Sequence, residues 1–341
     1  IVTVWYYAER NLSFVFYGPP GYNYARFAGE FQAYADDARM AAPTRYDNVP
    51  VDVGLDSVAV QAAAFKALAD SGTPGASTAI ELVLYAGIPV TRMSQGVDLA
   101  AGPLETGLFI TDWREREVVT RRETETIRFQ ESHQFETRTL SAIMAPGEYR
   151  YRVEALQPAT RRAARGMASV TIAPFSTTTV ALSDVVLAHR VVPKHDHPLS
   201  HQDFFLDPSA DLRFEPGTPV SLYWETYGLT PDSTGAVRFQ VDVFVRVDAL
   251  ERHGFGARVI GGVLDAIGAS ARGDDQVAIR YTGNEVLNGR DRIPGWLTLD
   301  IAGAPNGSYS LDLVITDLVT GRAATRHRPF AITPASTPRS Q

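Results

Sequence analysis

Two-residue alternation of apolar and polar side chains constrains this chain more than any other feature. Tyr149, Tyr151, Val153 and Ala155 alternate with Arg150, Arg152 and Glu154. Val241, Val243, Val245 and Val247 alternate with Asp242, Phe244, Arg246 and Asp248, and Tyr309, Leu311, Leu313 and Ile315 alternate with Ser310, Asp312 and Val314. Successive side chains on a strand point to opposite faces, so each run builds a strand with one face in a core and one largely in water. Such strands belong to antiparallel sheets stacked on one another, not to parallel sheets wrapped in helices. From about Thr78 onward the chain reads as strand after strand.

An internal repeat organises those strands. Ala145-Pro146-Gly147-Glu148-Tyr149 returns as Ala304-Pro305-Asn306-Gly307-Ser308-Tyr309 with one residue inserted. From Tyr149 and Tyr309 the register then holds at a spacing of 160 residues: Val153 with Leu313, Thr160 with Thr320, Arg162-Ala163-Ala164 with Arg322-Ala323-Ala324, Ile172 with Ile332. Each copy reads as strand, tight turn, strand. The expected fold is therefore all-β, with two tandem immunoglobulin- or fibronectin-like antiparallel sandwiches after a short α+β hairpin region. The expected domains are 1–74 (aromatic hairpin and helix), 75–188 (first sandwich), 189–204 (His/Pro-rich linker), 205–333 (second sandwich) and 334–341 (loose tail).

In the first region, Ile1–Tyr7 and Leu12–Tyr17 form an expected hairpin, ended by Gly18-Pro19-Pro20-Gly21. Tyr24, Phe27, Phe31 and Tyr34 share one face if their segment is helical, either packed on the hairpin or offered to a partner. A second helix is expected from a cap at Asp56 or Ser57, with Val58, Ala62, Phe65 and Ala69 on one face and Gly72 and Pro74 ending it. The sequence opens at Ile1, inside a strand pattern, from which we expect a further upstream segment.

Several stretches together resemble bacterial proteins of the GWxTD-domain-containing family. Val4-Trp5-Tyr6-Tyr7, Leu12-Ser13-Phe14-Val15-Phe16 and Gly21-Tyr22 look like that domain's closing hairpin. Leu182-Ser183-Asp184, Trp296-Leu297-Thr298-Leu299-Asp300, Gly307-Ser308-Tyr309 and Thr316-Asp317 look like the β modules that follow it. The defining motif itself is absent, and Gly295 to Asp300 is one residue too long for it. The resemblance implies an exported bacterial protein with β-sandwich modules and supplies no catalytic residues.

Charge and composition close several doors. A formal net charge of −7 leaves no concentrated cationic footprint for nucleic acid or anionic lipid. With no cysteine there is no disulfide, thiolate metal site or cysteine nucleophile. No apolar run approaches the roughly 20 residues that span a bilayer.

The densest polar cluster is His189, His195, Asp196, His197 and His201, with Asp203 beyond. Such residues can ligate zinc or copper, but in a proline-punctuated linker they lack a rigid scaffold, and we assign no metal and no cofactor. Gly254-Phe255-Gly256 with Gly261-Gly262 departs from the dinucleotide spacing and reads as a hairpin loop. Arg272-Gly273-Asp274 reads as a chance tripeptide, and Asp274-Asp275 cannot be placed in a cleft. The alternating charges from Arg114 to Glu125, followed by Thr126, Arg128 and Gln130, suit a solvent-facing hairpin whose charges deter edge pairing, or else a docking ribbon beside Phe244.

With no catalytic constellation in sight, the expectation is a non-catalytic, extracytoplasmic (periplasmic) accessory or scaffolding subunit. Its partners would be the protein subunits of a membrane complex, for instance a photosynthetic reaction centre with its antenna, or a respiratory complex. One alternative is a carbohydrate- or cell-wall-binding module using Trp113, Trp224 or Trp296, which read more readily as core. The other is a hydrolase with a site the sequence does not reveal.

Overall fold

The computed structural model describes residues 2–7, 12–17, 24–26, 55–68, 79–93, 101–114, 116–128, 135–160, 162–176, 178–250, 260–261, 268–269, 276–301 and 303–334. Apart from one helical turn, α1 (Val90–Met93), and a 3-10 turn (His201–Asp203), the described elements are β-strands. The all-β expectation holds. Two compact units interleave along the chain: Ile1–Val60, Ala86–Arg138 and Gly147–Thr171 form one, and Gln61–Tyr85, Thr139–Pro146 and Ile172–Gln341 the other.

The N-terminal hairpin is present. β1 (Val2–Tyr7) pairs antiparallel with β2 (Leu12–Tyr17), Val2 opposite Tyr17. The aromatic helix expected next does not start at Tyr24, because Tyr24–Arg26 is a third strand, β3, on β2; Phe27, Phe31 and Tyr34 lie outside the described residues.

The helix expected from Asp56 or Ser57 is also overturned. The chain runs instead as β4 (Leu55–Ser57) and β5 (Ala59–Lys66), and β5 joins β6 (Ile80–Ile88) and β9 (Glu136–Met144) in a three-stranded sheet. Alanine favours helix in isolation, but tertiary pairing overrides that preference. Ala63 and Phe65 enter a buried cluster with period two. Gln61, on the same face, donates to the Leu187 and Ser209 carbonyls and accepts from the Leu187 amide, standing in for a strand's backbone.

The duplication seen in the sequence extends to whole sheets. β7 (Ala101–Asp112), β8 (Glu117–Arg128), β10 (Gly147–Gln157) and β11 (Arg162–Ile172) form a sheet in the order β4-β11-β10-β7-β8. The later strands include β12 (Ala181–Leu182), β13 (Val186–Pro193), β14 (Phe204–Pro208), β15 (Arg213–Phe214), β16 (Val220–Tyr227) and β17 (Ala236–Leu250). They continue with β18 (Ile260–Gly261), β19 (Gly268–Ala269), β20 (Gln276–Val286), β21 (Arg292–Asp300), β22 (Gly307–Asp317) and β23 (Ala323–Ile332). One sheet runs β15-β23-β22-β17-β20-β19, repeating the earlier order strand for strand, and in both a short first strand lies parallel to the last. The turns match atom for atom. Gln157 Oε1 accepts the Ala159 amide as Asp317 Oδ1 accepts that of Val319, and Thr160 and Thr320 each accept the amide two residues on.

The facing sheet of the second unit runs β14-β13-β16-β21-β18. Between the two sheets Val220, Leu222 and Trp224 of β16 share a core with Val237, Phe239, Val241, Val243 and Val245 of β17. β16 is buried along its whole length. Its alternate residue Tyr223 joins Phe65, Val83, Tyr85, Val186 and Phe204 in a second cluster, so the strand has core on both faces. The segment expected to be a linker is mostly ordered backbone: β13 reaches Pro193, and the 3-10 turn leads straight into β14.

Candidate functional site

The two faces of β16 and β21 carry very different environments. On one face Glu225 is wholly buried, as are Arg292, His201 and Glu81 within a few percent. The Glu225 carboxylate accepts from the His201 amide at 2.8 Å, from the Tyr223 and Tyr227 hydroxyls at 3.1 and 2.7 Å, and from Arg292 at 3.2 Å. Its Oε1 also lies 3.2 Å from His201 Nδ1, while Nε2 of the same ring lies 3.4 Å from Glu81. Arg292 donates further to the Lys66 and Ala67 carbonyls. Phe65 stacks on the His201 ring at 4.3 Å.

A neutral imidazole offers one donor and one acceptor, so only the imidazolium suits carboxylates at both nitrogens. Burial pulls the His201 pKa down, but the hydrogen bonds and charges of Glu225 and Glu81 outweigh it and push the group up to about 9. The His201 hydrogen bond holds Glu81 below the usual carboxylate range against its own burial. Burial and the nearby Glu225 charge raise the Tyr85, Tyr223 and Tyr227 hydroxyls. Every charge here faces a fixed partner inside the fold, which makes the cluster a clamp between β5–β6 and the β13–β16–β21 sheet. Sequence reading missed it. The available signal was Glu225 itself, an acid inside the apolar run Val220–Tyr227.

The opposite face is uncharged and open. A cavity of about 630 Å³ runs beside β21, walled by Trp224, Phe239, Tyr281, Ile293 and Leu297, with Trp296 at its rim. That volume is within the range of ligand-binding clefts. Glycines let the aromatic walls lie flat across the strands: a Cβ on Gly295 would sit 2.3 Å from the Trp224 ring, and one on Gly283 2.3 Å from that of Phe239. Glu285, the acid at the rim, is paired with Arg290 at 3.4 Å.

The backbone at this place is also open. The Glu225 amide donates to Ser183 Oγ at 2.8 Å and its carbonyl accepts from the Ser183 amide at 2.9 Å, so neither faces β21. Opposed residues in an antiparallel ladder exchange both bonds or neither. Pro294, opposite Glu225, therefore turns its backbone away from β16, and Trp296 two residues on does the same. Among the described strands only β18 pairs with that outer side, at Leu299 and Asp300.

The histidines of the sequence cluster are not gathered. His189 packs on Phe214, His195 meets Asp203 at 3.3 Å, His201 belongs to the clamp and His197 is exposed. Among the described residues no three His, Asp or Glu side chains are arranged to hold a metal ion. Of the three tryptophans read as core, Trp224 is buried, but Trp113 is 67% and Trp296 40% exposed. Trp113 sits in the turn between β7 and β8, with Arg114 over its ring. β8 is a charged strand at its sheet's edge, as expected, and Phe244 is half-buried on β17. Gly254, Gly256, Gly262, the Arg272-Gly273-Asp274 tripeptide and Asp275 lie outside the described residues; Gly261 belongs to β18.

No protein-family model matches the chain, and no curated protein matches it. Among solved structures it is similar to the major pilin subunit BcpA of Bacillus cereus, at 9% identity over 69% of each chain with a TM-score of 0.24. It is also similar to the C-terminal domain of the Streptococcus agalactiae AgI/II polypeptide BspA, at 9% identity over 81% of this chain and 99% of that one, TM-score 0.21. A third is Escherichia coli alpha-2-macroglobulin activated by porcine elastase, at 10% identity over 82% of this chain and 22% of that one, TM-score 0.23. At these scores the likenesses carry no functional argument. Among the described residues no helix is long and apolar enough to cross a membrane.

Proposed function

We propose that this chain is a non-catalytic, extracytoplasmic accessory subunit that binds and stabilises a larger membrane-bound protein complex. The observation that carries the reading is the aromatic-walled, uncharged cavity beside the outward-turned backbone of Pro294 and Trp296. Unfilled apolar surface next to unpaired backbone donors and acceptors gains most from another polypeptide, which supplies side chains and hydrogen bonds together. The acid and histidine groups that a hydrolase would use are fixed in the clamp instead. A complex of the respiratory or photosynthetic kind is the partner to test first. The test is gentle solubilisation of the native membrane followed by mass spectrometry of the intact assembly. The reading expects the chain at fixed stoichiometry with other subunits; a free monomer at physiological abundance contradicts it.

A second reading is carbohydrate binding. It is favoured by the half-exposed Trp296 ring beside Tyr281, since aromatic faces at a cleft suit sugar rings. Retention of the chain on immobilised glycans, abolished by Trp296→Ala, would select it over protein binding.

A further inference from the structure

We infer that the outer edge of β21 accepts an extended, uncharged peptide segment of a partner protein, which adds to the sheet as an antiparallel strand beside Trp296. This rests on the protein-binding reading above and names the chemistry of the partner. The edge already accepts a strand: Ile260 and Gly261 pair antiparallel with Asp300 and Leu299, and an added segment would continue that ladder toward Pro294. The Trp296 amide and carbonyl point to that side, along with the Pro294 carbonyl. Proline at this place fits an edge, where no ladder donor is lost.

The side chains of such a segment are constrained on both faces. Ile293 and Leu297 belong to the sandwich core while Gly295, between them, adds no side chain of its own. Every second residue of the added strand would therefore enter the cavity against Trp224, Phe239 and Tyr281, where a charge would be desolvated without a partner. The intervening residues would lie on the Trp296 side and are free to be polar. The partner segment is thus alternately apolar and polar, with valine- or isoleucine-sized groups inward.

The test uses the full chain and a terminally blocked peptide of alternating valine and threonine with a lysine at each end. Strand addition expects slowed hydrogen exchange at the Trp296 amide on peptide binding, and loss of binding when lysine replaces the valines. Two variants separate backbone from ring: Trp296→Ala keeps the amide, Trp296→Pro removes it without touching the β16 ladder. Binding should survive, weakened up to tenfold, in W296A and fall at least a further tenfold in W296P, with Trp224 amide protection showing that both are folded. Equal binding by the two variants, or no change at the Trp296 amide, overturns the inference. If W296P still joins the native membrane assembly, strand addition fails while the accessory-subunit reading stands; if the unaltered chain joins none, that reading fails.

Discussion

The two faces of the β16–β21 pair share a backbone and differ in everything that decides function. On the Glu225 face, two acids, a histidine, an arginine and two tyrosine hydroxyls saturate one another. On the Trp224 face, aromatic walls surround empty space beside unpaired backbone. A buried charge whose partners are all internal contributes to one folded arrangement and has nothing left to offer a ligand. An uncharged wall with nothing packed against it has the reverse character. Density of titratable groups is thus a poor guide to the working surface here.

Breaking the closed face should have the largest effect. Glu225→Ala leaves Arg292 and His201 buried without their shared carboxylate, a change that costs about 3–5 kcal/mol in comparable buried pairs. Urea unfolding should show it as a lower midpoint with little change in slope. A loss below about 1 kcal/mol would mean the cluster is far wetter than its burial implies.

The same face should be sensitive to alkali. The folded pKa of His201 is raised to about 9 from its ordinary 6.5, so its contribution is fully present below pH 6.5 and is lost as pH rises through about 9. A shift of that size corresponds to a contribution on the order of 3 kcal/mol. The pH dependence of the urea midpoint should flatten in His201→Gln. Glu81 has the opposite sign, its pKa being lowered: its contribution is present above the ordinary carboxylate value and is lost as pH falls through the depressed one.

Smaller effects sharpen the open face. Gly295→Ala places a methyl group against the Trp224 ring and should cost about 1–3 kcal/mol through overpacking, visible as a changed near-ultraviolet tryptophan signal. The smallest effect belongs to the edge of β8, where Arg138 pairs with Glu125 near the surface. Arg138→Ala should alter stability by about 0.2–1 kcal/mol, yet raise light scattering on storage, because charged groups on an edge strand deter pairing with other chains.

What was legible in the sequence followed from periodicity. The alternation through Val241, Val243 and Val245 gave the core face of β17, and the repeat placed β10–β11 and β22–β23 down to the matching Thr160 and Thr320 turn bonds. Residues 59–66 were misread because Ala62, Ala63, Ala64 and Phe65 satisfy a helical spacing as well as a strand's. Only the partner strands and the docking of Gln61 on Leu187 and Ser209 decide between them. The clamp escaped because its members, Glu81, His201, Glu225 and Arg292, are far apart in sequence and meet only through sheet order. His201 was noticed, but in a segment read as linker. The cavity left its trace in Gly283 and Gly295, glycines within strands, whose meaning depends on the aromatic residue across the ladder.

The decisive measurement is hydroxyl-radical footprinting of the native assembly against the isolated chain, read residue by residue. The account predicts that Trp296 and Tyr281 lose most of their reactivity in the assembly. Unchanged reactivity at both, with protection confined to other surfaces such as Trp113 and the β8 edge, would contradict it.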